Sequence, residues 1–334
     1  MSQSISVLLP IFLRNTEETS IRLLRRALES ISDQHYPEAF ELIVVDDGSP
    51  TPVQRILEEN KLIYPGIRFV RTEKNYGLVS ALNLGIKHAR FPLIARIDAD
   101  DRWVAGKIRT QLNAFGADPN LTIVATGMSL VKQDEILEEL IRPGDWTGIL
   151  KFFVEVGCPF PHGSVVAKRD IYRLLGGYPH DFRYLHCEDY TLWGIWLRFF
   201  KPAMIEQVLY EYTVSDNSIS GQNAAVQAAC SRFICGQFAK LNLASRLPAA
   251  LDALSQTLHS TQLQAGVVAY RLWRFGIPVK IPVCAIEPIR AILCDRTVVP
   301  LSAEDECVLV HDLVEGFGDI YLPPSYKGVP IRMI

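Results

Sequence analysis

Two aspartates one residue apart, Asp98 and Asp100, with Asp101 directly after them, close the apolar run Leu93-Ile94-Ala95-Arg96-Ile97. Such a run bounded by acids reads as a buried strand that delivers carboxylates to its carboxyl end, where ligands bind in an open α/β sheet. This spacing suits a hard divalent cation that keeps its remaining positions for phosphate oxygens. Three clustered acids repel one another unless a cation or a basic group sits among them, and Arg96 and Arg102 flank them as candidate neutralisers. The chemistry expected here is metal-assisted handling of a diphosphate.

Two further acidic stations stand at element boundaries. Asp46-Asp47-Gly48-Ser49 follows the apolar Phe40–Val45. It reads either as a helix cap and turn or as a carboxylate that accepts a nucleobase imide N–H. Glu188-Asp189 opens a segment carrying Leu192, Trp193, Trp196 and Phe199. Acids are favourable charge at a helix start, and equally a general base for an attacking hydroxyl, with Trp193 lining the acceptor side. His162, in the irregular stretch Cys158–Gly163, and His186 are rival bases with structural roles as their plainer reading. Asp118 and Asp134 have no such company and read as surface residues.

The elements that must position these groups follow one another regularly. Ile5–Pro10 reads as a first strand, followed by Ile21, Leu24, Leu28 and Ile31 at helical spacing with Thr16 or Ser20 as cap. Phe40–Val45 is a second strand, with Val53, Ile56 and Leu57 on the next helix. Ile67–Arg71 is a third, and Asn75-Tyr76-Gly77 turns into a helix bearing Leu78, Ala81, Leu82 and Gly85. The strand of the opening motif, a helix marked by Ile108, Leu112 and Phe115, and a strand over Leu121–Gly127 complete the series. The expectation is an α/β fold with an open, mostly parallel twisted sheet and helices on both faces. From Met128 the alternation loosens: a short helix near Trp146–Phe153, a return to the sheet at Ser164–Ala167, and a brief helix over Asp170–Leu175. Beyond Ser220 the chain reads as mainly helical, over Asn223–Leu241 and Pro248–Leu263, and Leu322–Tyr326 as a surface arm or frayed tail. The predicted organisation is a domain over 1–220, with a nucleotide half at 1–127 and an acceptor half at 128–220, and a helical extension over 221–334.

At 334 residues there is material for one large or two modest domains, and a net charge of −3 provides no footprint for nucleic acid. Seven scattered cysteines without a CxxC pair suggest reduced thiols and a cytoplasmic protein. The first residues lack the basic start and apolar core of a secretion signal, so the start reads as that of a mature chain. No run reaches the ~18 apolar residues of a spanning helix. Ala265–Leu293 is broken by charges and three prolines. Trp273 and Phe275 among Arg271, Arg274 and Lys280 leave peripheral contact at the inner membrane face as a reading beside that of a packed helix, and the helical end equally suits an acceptor platform or a homodimer interface.

The ordered set of motifs resembles the inverting family 2 glycosyltransferases of the GT-A fold. It comprises Ser6-Val7-Leu8-Leu9-Pro10, Leu42-Ile43-Val44-Val45-Asp46-Asp47-Gly48-Ser49, Asn75-Tyr76-Gly77-Leu78, Asp98-Ala99-Asp100-Asp101, Gly176-Gly177-Tyr178 and Glu188-Asp189-Tyr190-Thr191-Leu192-Trp193. The resemblance implies a nucleoside diphosphate sugar donor, UDP-linked by preference, and a glycan or lipid-linked glycan acceptor in surface polysaccharide synthesis. It further implies that the backbone at Pro10 and Ile11 and the carboxylate of Asp47 hold the base, with Arg71 and Lys74 near the nucleotide. Asp98 would serve ribose or metal, Asp100 would ligate Mn or Mg, and Asp189 would be the base, with His162, Glu188 and Trp193 on the acceptor side. Two positions depart from the pattern: Pro10-Ile11-Phe12-Leu13 replaces Pro-x-Tyr-Asn, and Ser215 stands where many relatives carry a metal-binding histidine. A nucleotidyltransferase and a degenerate sugar-nucleotide scaffold are the rival classes. Leu9–Thr16 lacks the Gly-rich basic loop of the first, and retention of Asp100 and Asp189 speaks against the second.

Overall fold

A computed structural model describes residues 4–34, 39–175, 177–180, 186–215, 224–242, 325–326 and 329–330. By internal contacts the chain separates into two units, one of Met1–Asp170, Tyr178–Leu197 and Lys201–Gly236, the other of Ile171–Gly177, Arg198–Phe200 and Gln237–Ile334. In the second unit, strands β10 (Ser325–Tyr326) and β11 (Val329–Pro330) form an antiparallel pair. Most of the expected helical extension, including Pro248–Leu263 and Trp273, lies outside the described residues.

The first unit is built on strands β1 (Ile5–Ile11), β2 (Phe40–Asp46), β3 (Ile67–Arg71), β4 (Leu93–Arg96), β5 (Arg102–Trp103), β6 (Ile123–Lys132), β7 (Glu135–Leu140), β8 (Val166–Lys168) and β9 (Pro202–Thr213). They form one sheet in the order β3-β2-β1-β4-β8-β6-β9-β5, with β7 on the other side of β6. The β3-β2-β1-β4 half is wholly parallel, as the strand–helix alternation requires. In the other half β8 runs antiparallel to both β4 and β6, and β9 runs parallel to β6.

Every residue of β1 is buried, so both faces of this strand are covered. Val7, Leu9 and Ile11 join the core formed with Leu24, Leu28 and Ile31 of helix α1 (Glu18–Ser32) and with Val53 and Leu57 of α2 (Val53–Glu59). Ile108 and Leu112 of α4 (Lys107–Ala117) belong to the same core. The alternate residues Leu8 and Val45 face α3 (Leu78–His88), where a Cβ on Gly85 would stand 3.2 Å from both side chains. The narrow face anticipated around Gly85 is therefore a point of close helix–sheet approach. Helix α1 starts after Glu17 with no side-chain cap bond, so neither Thr16 nor Ser20 serves as the expected cap.

Helices α5 (Trp146–Glu155), α6 (Arg169–Leu174), α7 (Glu188–Phe199) and α8 (Ala224–Asn242) carry the later part of the chain. Strands β5, β7 and β9 were not expected. All but the last residue of β7 are exposed, and an edge strand that buries neither face carries no period-two signal. Strand β9 breaks its register with β6 around Thr126–Met128, which interrupts the alternation that would announce it.

Candidate functional site

The parallel register sets the carboxyl ends of four strands side by side, pairing Ile11 with Asp46, Asp46 with Arg71, and Leu8 with Arg96. Asp46, buried at the end of β2, accepts from the N–H groups of Ser49 (2.9 Å) and Val53 (3.1 Å). It also pairs with Arg71, whose other terminal nitrogen donates to the Ser49 carbonyl at 2.6 Å. This is the cap-and-turn role. Asp47 faces the next loop and accepts from the N–H groups of Tyr76 (3.0 Å) and Gly77 (2.7 Å), with the Thr72 hydroxyl 3.1 Å away and shared with the Lys74 carbonyl at 2.8 Å. Two backbone donors leave about two of a carboxylate's four lone-pair directions for the hydroxyl or a ligand.

Gly48 adopts φ +72°, and a Cβ there would fall 2.3 Å from the Lys74 carbonyl carbon. Only glycine lets the two loops stack this closely. Pro10 and Ile11 are buried beside the turn, with the Ile11 carbonyl accepting from the Asp47 N–H at 2.9 Å. Lys74 is exposed, its ammonium 5.3 Å from the Tyr76 ring centre. Pro10, Ile11, Asp47, Arg71 and Lys74 thus gather at one edge of the sheet.

At the end of β4, Arg96 is 4% exposed and ion-paired with Asp98, while its Nε has no hydrogen-bond partner. Of the two candidate neutralisers it is the one that serves the acids, since Arg102 pairs with Glu211 at 3.4 Å. Asp101 turns inward and accepts from the Tyr210 hydroxyl and from the Thr213 N–H at 2.7 Å. Asp98 and Asp100 remain at the edge. Burial, then the charge of Asp98, pushes the Asp100 carboxyl up to about 6. Among the described residues no three His, Cys, Asp or Glu side chains form a metal-ligand set. Two hard carboxylates that repel one another fit a divalent cation that completes its sphere with diphosphate oxygens. Ser215 ends the described part of the segment after β9, and Asn217–Ser220 lie outside it.

Because β8 is antiparallel to β4, with Val166 opposite Ala95, the loop before β8 enters at this same edge. His162 Nδ1 stands 3.9 Å from Asp189 Oδ2, and its Nε2 is 2.8 Å from the Tyr178 hydroxyl. Burial, reinforced by Arg96, holds the imidazole well below its ordinary pKa and therefore neutral at pH 7. Asp189, at the N-terminus of α7, accepts from the Tyr190 N–H (2.7 Å) and the Cys158 thiol (3.8 Å). Burial raises its pKa, and burial plus the charge of Asp189 raises Glu188 to about 7.

Trp193 is fully buried, its ring centre 6.1 Å from those of Phe160 and His162 and 5.8 Å from that of Trp196. It packs behind His162, and in this packing no part of the indole reaches solvent. His186 occupies a left-handed turn at φ +60°, and its carbonyl accepts from Gln227 at 3.1 Å.

Several neighbours escaped notice in the sequence. Asn83 clamps Tyr178 through bonds of 2.8 and 2.9 Å to its backbone. Arg142 donates to the Cys158 carbonyl at 2.8 Å, with Asp189 inside its field. A charged residue inside an apolar run was the one visible signal, and it belonged to Arg96.

The family model described as glycosyl transferase family 2 matches residues 6–173. EpsE of Bacillus subtilis is 30% identical over 200 residues, spanning 57% of this chain and 68% of that protein. WfgD of Escherichia coli, named as a UDP-Glc:alpha-D-GlcNAc-diphosphoundecaprenol beta-1,3-glucosyltransferase, is 26% identical over 65% of this chain and 79% of its own. Among solved structures, TarS 1-349 of S. aureus in complex with UDP aligns at TM-score 0.53 and 16% identity, covering 94% of this chain and 86% of that one. The mannosyltransferase PcManGT of Pyrobaculum calidifontis, in complex with GDP-Man and Mn2+, aligns at 0.50 and 18%, covering 95% and 87%. These two likenesses carry the fold alone. A family match over half the chain, on the strands that bear the acidic stations, establishes that the chain belongs to glycosyl transferase family 2 and is a glycosyltransferase of GT-A-like fold.

Proposed function

We propose that the chain transfers a sugar, with inversion, from a UDP-sugar to a hydroxyl of a lipid-linked glycan acceptor. The observation that carries this reading is the meeting of the two acidic stations at one end of the sheet. The antiparallel pairing of β8 with β4 brings the loop before β8 back to the strand end where Arg96 pairs with Asp98, and His162 of that loop lies 3.9 Å from Asp189 at the start of α7. The UDP preference is supported by the name of WfgD and by the UDP complex of TarS, and the acceptor class by the diphosphoundecaprenol in that same name.

The backbone at Pro10 and Ile11, with Asp47, Arg71 and Lys74, holds the nucleotide. Asp98 and Asp100 hold Mn or Mg, a choice of cation class supported by the Mn2+ complex of PcManGT. When bound, such an ion supplies positive charge against that developing on the departing diphosphate. Asp189 takes the proton of the acceptor hydroxyl as its oxygen bonds to the anomeric carbon and the bond to the diphosphate breaks, and displacement from the opposite face inverts that centre. The Tyr190 N–H and the Cys158 thiol hold the Asp189 carboxylate, with the neutral His162 beside it, while Glu188 borders the acceptor side. A lipid-linked acceptor is met at a membrane surface, and no described helix is long and apolar enough to cross one. Incubation with UDP-, GDP- and dTDP-sugars identifies the donor. Asp189→Asn should then retain donor binding in calorimetry and lose transfer by at least a hundredfold, and undiminished transfer would reject the base.

A further inference from the structure

Arg26, in the middle of α1, makes contacts that the proposed reaction does not use. Its Nη2 donates to the backbone carbonyl of Asp100 at 3.1 Å and to the Thr213 hydroxyl, while its Nη1 reaches Asp134 at 3.0 Å. Thr213, the last residue of β9, in turn donates its hydroxyl to the same Asp100 carbonyl and its N–H to the Asp101 carboxylate at 2.7 Å. Asp134 lies in the turn between β6 and β7, where Gln133 and Asp134 both take left-handed conformations at φ +52° and +68°. The side chain is 65% exposed, in keeping with a surface residue, yet it holds both Arg22 and Arg26 of α1.

The Asp100–Asp101 turn is thereby held from outside by two elements, α1 through Arg26 and β9 through Tyr210 and Thr213, with Asp134 holding Arg26 in turn. Two donors grip the Asp100 carbonyl, and Tyr210 and Thr213 grip the Asp101 carboxylate, so of the two side chains it is Asp100 that is left at the strand-end edge. The direction of its carboxylate is set by a peptide plane that cannot rotate without breaking the bonds to Arg26 and Thr213. A planar guanidinium can span three acceptors at once, which a lysine ammonium on a flexible stem does not reproduce.

We infer that Arg26 and Thr213 form a latch that aims the Asp100 carboxylate, making both positioning residues for the divalent cation. The inference rests on the proposed cation site. Partners that orient a ligating carboxylate commonly alter metal affinity ten- to a hundredfold when removed.

The test titrates Mn2+ against transfer activity and, separately, against UDP binding by calorimetry, in the full chain. Thr213→Val keeps the backbone N–H and the shape but removes the hydroxyl, and Arg26→Lys keeps the charge but not the fork. Each should raise the half-saturating Mn2+ concentration about tenfold while kcat at saturating Mn2+ stays within about twofold. Thr213→Ser should restore the wild-type value. Equal values for Thr213→Val, Arg26→Lys and wild type, with Asp100→Ala strongly impaired, overturn the latch alone. An unimpaired Asp100→Ala overturns the cation site and the latch with it. A fall in thermal midpoint without any change in Mn2+ requirement also overturns it, since a merely structural contact behaves that way.

Discussion

Glu188 and Asp189 are adjacent carboxyls in a buried setting, and their protonation decides when the proposed base is competent. Burial, then Asp189, lifts Glu188 from its ordinary 4.5 to about 7, and burial raises Asp189 as well. At neutral pH the pair therefore retains part of a proton, and kcat/KM, which reports the free enzyme, should fall as pH drops through about 7. Glu188→Gln removes the like charge, so the acid limb should move down by about one pH unit, readable in a pH–rate profile. Both folded-state values are raised, so the ionised pair opposes folding. That cost is absent below the unfolded values, grows as pH rises, and is complete above about 7. Glu188→Gln should thus melt higher than wild type at pH 8 and match it below about pH 4. An unshifted limb in this variant would remove Glu188 from the site's electrostatics. Residue identities and their strand-end positions were legible in the sequence, but partners were not. That Arg96 and not Arg102 neutralises Asp98, or that His162 meets Tyr178, depends on which residues the sheet register and loop paths bring together.

The parallel half of the sheet was legible because its elements are locally consistent. Apolar runs covered on both faces are each followed by a helical face, and those of β2 and β4 run into acids. The Asp46–Ser49 turn shows where that legibility stops, since its two acids look alike and do different work. Asp46 caps α2 and pairs with Arg71, whereas Asp47 secures the Thr72–Gly77 loop. Both loops depend on Gly48, whose φ of +72° and contact with Lys74 admit no side chain. Gly48→Ala should cost about 1–3 kcal/mol of stability and push the Lys74 backbone outward. KM for the donor should rise about tenfold or more while kcat changes little, because the displaced loop carries Lys74 and not the base. Donor saturation curves at fixed acceptor decide it, and an unchanged KM would separate this loop from nucleotide binding. Strand β9 and the Arg26–Thr213 contact were beyond sequence reading for a related reason: residues 187 positions apart meet only after the sheet has closed.

At the scale of the first unit, the site is stitched from segments that lie far apart in the chain. Strands β1, β2, β3 and β4 supply the edge proposed for the donor, the loop before β8 and the start of α7 the edge proposed for the acceptor, and β9 closes back on Asp101. A ligand that spans these segments binds the assembled unit and not the unfolded chain, so its binding free energy adds to stability. At a hundredfold excess over Kd the gain is ~2.7 kcal/mol, or roughly 5–10 °C in Tm for a unit of this size. UDP with Mn2+ should therefore raise Tm by that amount, and UDP with a chelator by markedly less. Asp189→Asn should show the wild-type shift, because its carboxylate belongs to the acceptor edge. Asp100→Ala should lose the Mn2+-dependent part and keep the part that UDP supplies alone. Equal shifts with Mn2+ and with chelator in the wild type would mean that Asp98 and Asp100 bind nucleotide without a cation. The buried Arg96, already paired with Asp98, would then be the positive charge that meets the diphosphate.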